Sequence, residues 1–248
     1  MAVDVLLKLF GVGLGILLLV GVVLVVGSYI FLPAIVEGLF AREIQDRLEP
    51  GSVPEVELEG EPSPGILVRR FGSGRVVLEE VDFEGVRSDR TVIDLDPFDL
   101  DLLASISGGS FQSEEPLSGK LRMELSEEEV TRLANSGNQG VAVQGVRLEP
   151  GEMFVDVEAR VMGIRVPVSV AGNLELEGET LVFGPREISA FGSALPGGLT
   201  DRLVSRSGFE YPLGDLPYDT EVSGVRVEEG KVVVEGRIGR IPVGKAGG

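Results

Sequence analysis

The stretch "TVIDLDPFDLDLL", residues 91–103, alternates apolar and acidic side chains and breaks phase in the middle. Before Pro97 the apolar residues Ile93 and Leu95 take odd positions, with Asp94 and Asp96 beside them. After it Phe98, Leu100 and Leu102 take even positions, with Asp99 and Asp101 between. A strand sends successive side chains to opposite faces, so a slip of one residue turns the wrong set inward. Leaving two large apolar side chains in water forfeits about 3–6 kcal/mol, comparable to the stability of a whole domain. The chain therefore has to bulge, kink or change partner within a residue or two of Pro97, and a curved sheet follows.

Period two recurs along most of the chain. In "MFVDVEARVMG" the residues Met153, Val155, Val157, Ala159 and Val161 share one face, and Asp156, Glu158 and Arg160 share the other. "NLELEGETLVFGP" reads as a hairpin turning at Gly178. One phrase occurs twice: "GVRLEPG" from Gly145 and "GVRVEEG" from Gly224, each followed by an alternating run. Both copies read as a strand, a tight turn at Glu-x-Gly and a long strand, with the last Gly supplying positive φ. The repetition is expected if one extended sheet is built from similar hairpins.

Helical spacing is confined to a few segments. In "PAIVEGLFAREIQDRL", residues 33–48, Ile35, Val36, Leu39, Phe40, Ile44 and Leu48 form one apolar face. In "SEEEVTRLANSG", residues 126–137, Ser126 is placed to cap and Glu129 to close a capping box, with Val130 and Leu133 facing inward. "PGGLTDRLVSR", residues 196–206, reads as a short helix.

Chemistry is limited by what is missing. The 248 residues include no Cys and no His, which removes disulfides, thiol catalysis, the commonest general base and the commonest transition-metal ligand. The expectation is a protein that is not an enzyme and carries no cofactor and no metal. The Asp run lacks the glycine and bidentate glutamate of a calcium loop, and strand alternation explains it. A formal charge of −18 repels phosphate backbones, so nucleic acid is not an expected partner.

Between Lys8 and Glu37 no residue is charged, and Leu9 to Leu32 is a 24-residue apolar run. As a helix it is roughly 36 Å long against about 30 Å of hydrocarbon. It exceeds the apolar core of a signal peptide, so an uncleaved anchor is expected. The organisation is then residues 1–32 as tail and transmembrane anchor and 33–248 as the domain, placed outside the plasma membrane because a short tail inside is the simpler insertion.

The order of segments resembles a known family. "GRVVLEEVDFEGV", "LDLDPFDLDL", "LSEEEVTRLANS", "VPVSVAGNLELEGETLVFGP" and "LPYDTEVSGVRVEEGKVVVEG" follow an N-terminal anchor and an amphipathic helix. This pattern is similar to the LmeA family of actinobacterial cell-envelope proteins, described as phospholipid-binding, over roughly residues 33–243. The resemblance implies an α+β fold like the tubular lipid-binding proteins: after the transmembrane helix, a strongly curved antiparallel sheet wrapped around a helix, with an apolar groove between them. The partners it implies are phospholipid and, through the anchor, the plasma membrane. The residues assigned to line the groove are Val130 and Leu133 from the helix and Val155, Val157, Val161 and Phe183 from strands. The competing reading is a structural envelope domain that binds a protein partner, with a solid core and an exposed apolar patch.

Overall fold

The computed structural model describes residues 34–59, 70–83, 85–113, 115–137, 142–161, 164–190, 193–194, 210–213, 216 and 218–241. Helix α1 spans 34–48. Strands β1 (Glu55–Glu59), β2 (Arg70–Phe71), β3 (Ser73–Phe83), β4 (Val86–Leu95) and β5 (Phe98–Asp99) follow, then helix α2 (Leu102–Gly108). Next come β6 (Leu117–Ser126), helix α3 (Glu127–Gly137), β7 (Val143–Glu149), β8 (Glu152–Val161), β9 (Ile164–Glu177) and β10 (Thr180–Ala190). The described strands end with β11 (Ser193–Ala194), β12 (Glu210–Pro212), β13 (Thr220–Glu228) and β14 (Lys231–Ile241).

The strands form two large antiparallel sheets. One has the order β1-β3-β4-β6-β14-β13, the other β11-β10-β9-β8-β7 with β12 also paired to β10. The second sheet is curled: α3 packs on β7 at one edge and on β12 beyond the other. The fold is thus antiparallel sheet, strongly curled on one side, with few helices, as expected from the period-two patterning. Among the described residues no helix is long and apolar enough to cross a membrane. The anchor expected over 1–32 and the helix expected over 196–206 lie outside the described residues.

The phase break at Pro97 is resolved by a change of partner. Strand β4 pairs with β3 and β6 as far as Leu95, and Phe98 then pairs with Phe71 of β2. Ile93, Leu95, Phe98 and Leu100 are all buried. Phe98 turns inward because an aromatic cluster waits there. Its ring stacks on Phe71 at 5.2 Å and tilts against Phe111 at 6.1 Å, and Phe111 stacks on Phe40 of α1 at 4.5 Å. Val36, Phe40, Ile44 and Leu48 are buried along α1 as its periodicity requires, but Ile35, assigned to the same face, is 48% exposed in the first turn.

The repeated phrase departs from expectation in an informative way. Both copies are hairpins, with φ of 81° at Gly151 and 71° at Gly230. They do not extend one sheet: β7–β8 belongs to the curled sheet and β13–β14 to the six-stranded one. Their registers match residue for residue. Gly145 faces Asp156 and Gly224 faces Glu235, with a bulge at Gln144 in one copy and at Ser223 in the other. The turns bind each other reciprocally: Gly151 N–H donates to Val227 O at 3.0 Å, and Gly230 N–H donates to Leu148 O at 3.0 Å. Equivalent groups in equivalent roles make a local two-fold. The same sentence is used twice because it joins two sheets through self-complementary turns.

The helices also seal sheet edges, which would otherwise offer unpaired backbone groups to other chains. The Glu37 carboxylate on α1 accepts from Leu58 N–H of edge strand β1 at 3.1 Å. On α3, Glu127 Oε1, Thr131 Oγ1 and Asn135 Oδ1 stand four apart and accept from Leu148, Val146 and Val143 N–H of β7 at 2.7, 3.0 and 2.9 Å. The capping box expected at this helix is not formed. Ser126 is the last residue of β6, and Glu129, 5% exposed, accepts instead from Arg87 N–H at 2.8 Å, where β4 runs past the end of β6. Asn135→Ala would leave both polar groups of Val143 unpaired. We expect a loss of about 1–2 kcal/mol by chemical denaturation, with faster hydrogen exchange at Val143 than at Val155.

Candidate lipid-binding site

The inner face of the curled sheet is an apolar wall built by alternation. Cross-strand rows run Val143–Val157–Val168–Ala190 and Val146–Val155–Val170–Ile188. Every residue of these rows except the half-buried Ala190 is buried. The third row is Leu148–Met153–Gly172, and it needs its glycine. A Cβ at Gly172 would sit 2.4 Å from Gly184 O and 2.8 Å from two ring atoms of Phe183. The Phe183 ring therefore occupies the space beside the β9 backbone that a side chain at Gly172 would need.

Of the six residues assigned to the groove, Val155 and Val157 are adjacent on this wall, and Phe183 faces the same side two strands away. Val130 and Leu133 are carried by α3 and join the same buried cluster. Val161 ends β8, paired with Ile164, and its side chain lies outside the described residues. Sequence reasoning missed the rim. Val166, Leu176, Tyr211, Leu216, Val222 and Val225 pack against the core but stay half-buried. They lie on β9, in and after β12 and on β13, and the two on β9, Val166 and Leu176, are at opposite ends of that strand. The signal was present in "YPLGDLPYD", which spends two tyrosines and two leucines on a turn-rich stretch.

Charge is kept on the outer faces. Arg122 on β6 reaches Glu124, Glu228 and Glu235 at 3.6–3.7 Å, and Lys231 meets Glu124 at 2.8 Å. These exposed pairs contribute little each. An open groove of about 400 Å³ on this surface is lined by Val92, Asp94, Lys120, Leu121, Arg122, Ser223, Glu235, Gly236 and Arg237. Beside α3, the hydrogen bond from Arg132 to Glu129 raises the guanidinium pKa further above its ordinary value.

Three of the four aspartates of the opening motif have structural partners. Asp94 pairs with Arg75 at 2.7 Å, Asp96 accepts from Ser118 at 2.8 Å and from Arg237 at 2.5 Å, and Asp101 caps α2 by accepting from Ala104 N–H at 3.0 Å. Among the described residues no group of three or more carboxylates is placed to hold a metal ion. Millimolar calcium is expected to leave the melting temperature unchanged, whereas a filled site would stabilise by several kcal/mol through mass action.

The curled sheet, its helix and the half-buried rim extend over the same residues as a family match. A family model described as LmeA-like phospholipid-binding matches residues 28–237. The chain belongs to this family. Membership in the LmeA-like family supports lipid binding, and the matched region runs from before α1 into β14, so it takes in both sheets. No curated protein and no solved structure matches the chain.

Proposed function

We propose that this LmeA-like chain holds a phospholipid with its acyl chains along the Val155–Val157 wall, between the curled sheet and α3. The observation that carries the reading is the family match over 28–237 coinciding with an apolar wall whose rim is half-buried. We place the exchange of a ligand tail's water for protein contact at the half-buried Leu176, Val222 and Val225.

The remaining parts of the proposal rest on the sequence. Residues 1–32 tether the protein in the plasma membrane, with the domain on the extracytoplasmic side, because the 24-residue apolar run is long enough to span. The role is binding, carrying or presenting lipid rather than catalysis, since the chain has neither His nor Cys to serve as base or nucleophile. One experiment tests lipid and anchor together. Native mass spectrometry of the full chain, purified in mild detergent and stripped of it in the gas phase, should show the uncut protein with added phospholipid mass. A lipid-free spectrum at every collision energy would sink the lipid reading, and a mature start near Ser28 would sink the anchor.

A further inference from the structure

The outer face of the six-stranded sheet holds two cations side by side. Lys120 of β6 stands directly opposite Arg237 of β14, so both side chains leave the same face. Like charges in that position repel. Arg122 follows two residues along β6 on the same face, making a triangle with sides of about 5 and 7 Å at the side-chain bases. The groove of about 400 Å³ is lined by all three.

Matching each nearby acid to its closest base leaves two of these cations over. Asp94 takes Arg75 at 2.7 Å, Asp96 takes Arg237 at 2.5 Å, Glu235 takes Arg226 at 2.5 Å and Glu124 takes Lys231 at 2.8 Å. The Lys120 ammonium is exposed and has no ion-pair or hydrogen-bond partner among the described residues. Arg122 meets Glu124, Glu228 and Glu235 only at 3.6–3.7 Å, so its guanidinium donates no hydrogen bond among the described residues. Three carboxylates hold that side chain in place without using its donors. With Glu228 and the exposed Glu221 opposite Arg237 included, the six bases named here meet six acids. The patch is thus neutral on a chain of formal charge −18, and its unused donors are gathered at the groove.

We propose that this groove is a phosphate site, through which the outer face of the six-stranded sheet docks on anionic phospholipid headgroups at a membrane surface. Phosphate oxygens accept charge-assisted hydrogen bonds from both guanidinium and ammonium. The site is open, with side chains 39% exposed at Arg122 and 53% at Arg237, and water competes there for a dilute anion. A membrane surface presents many headgroups at high local concentration, so an open site suffices. The rest of an acidic chain is repelled by such a surface, which leaves this face as the one that can approach. The groove is in the other sheet from the Val155–Val157 wall, so it does not rest on the lipid proposed there.

The test uses the full chain in non-ionic detergent micelles, plain or mixed with phosphatidylglycerol. Acetylation by an N-hydroxysuccinimide ester, read by peptide mass spectrometry, compares Lys120 with Lys231, whose ammonium is bonded to Glu124. Phosphatidylglycerol should slow Lys120 at least three-fold relative to Lys231, and phosphatidylcholine in its place should not. Arg122→Gln is an exposed polar change that leaves folding intact, and it should abolish the protection. Arg90→Gln, on the same face but outside the groove, should keep it. Equal protection in Arg122→Gln means that the micelle covers the face without using the groove, and overturns the proposal. Equal protection by inorganic phosphate at the same concentration assigns the groove to a soluble anion and overturns the membrane source. Absence of protection overturns the site itself. Native spectra of Arg122→Gln should match the parent in lipid mass. Loss of that mass together with the protection would make headgroup and acyl chain parts of one site, and overturns a separate groove.

Discussion

Gly172→Val is expected to lower the melting temperature by roughly 10 °C, because a side chain there has nowhere to go. The first atom alone, Cβ, meets Gly184 O at 2.4 Å and the Phe183 ring at 2.8 Å. A flexible side chain could swing aside, but a paired backbone carbonyl cannot. Either β10 moves off β9 or Phe183 leaves the core, and Phe183 is 1% exposed. Overpacking of this kind costs about 3 kcal/mol. Gly184→Ala is the matched control, since its Cβ would find nothing closer than Asn173 O at 3.9 Å. Thermal melts by circular dichroism read both. Equal melting of the two variants would mean that β9 and β10 are not tightly packed at Gly172.

Val157→Asp is expected to remove bound phospholipid altogether. Val157 sits in the row Val143–Val157–Val168 and is 7% exposed, so a carboxylate there is aimed into the apolar interior. Burying it unpaired costs several kcal/mol, and it meets that cost by drawing in water or staying protonated. Both outcomes spoil a surface that has to bind hydrocarbon. The control is Ile93→Asp on β4, equally buried but in the other sheet. Both variants should lose comparable stability, measured by denaturant midpoint. Only Val157→Asp should lose the lipid mass in native spectra. If both retain lipid, or both lose it in proportion to stability, the ligand does not lie along β8.

The sequence alone determined the strands, most of the inward faces and the need for a break at Pro97. These follow from side-chain periodicity, which is local: Ile93 and Phe98 could not both be buried on one unbroken strand, whatever surrounded them. The turns at Gly151, Gly178 and Gly230 were equally legible, since each has positive φ and ends or begins a run of alternation. What the sequence could not decide was pairing between distant segments. The phrase "GVRLEPG" specifies a hairpin but not the sheet it joins, and two hairpins with one register were assigned to one sheet when they belong to two. The helix at 127–137 shows the same limit. Its acidic first turn suits a helix amino terminus anywhere, so Glu129 was read as closing its own cap. Its carboxylate has instead been taken by Arg87, 42 residues earlier, and Glu127, Thr131 and Asn135 by the edge of β7. A carboxylate satisfies whichever buried N–H lies nearest, and only the packing of the two sheets puts those donors there.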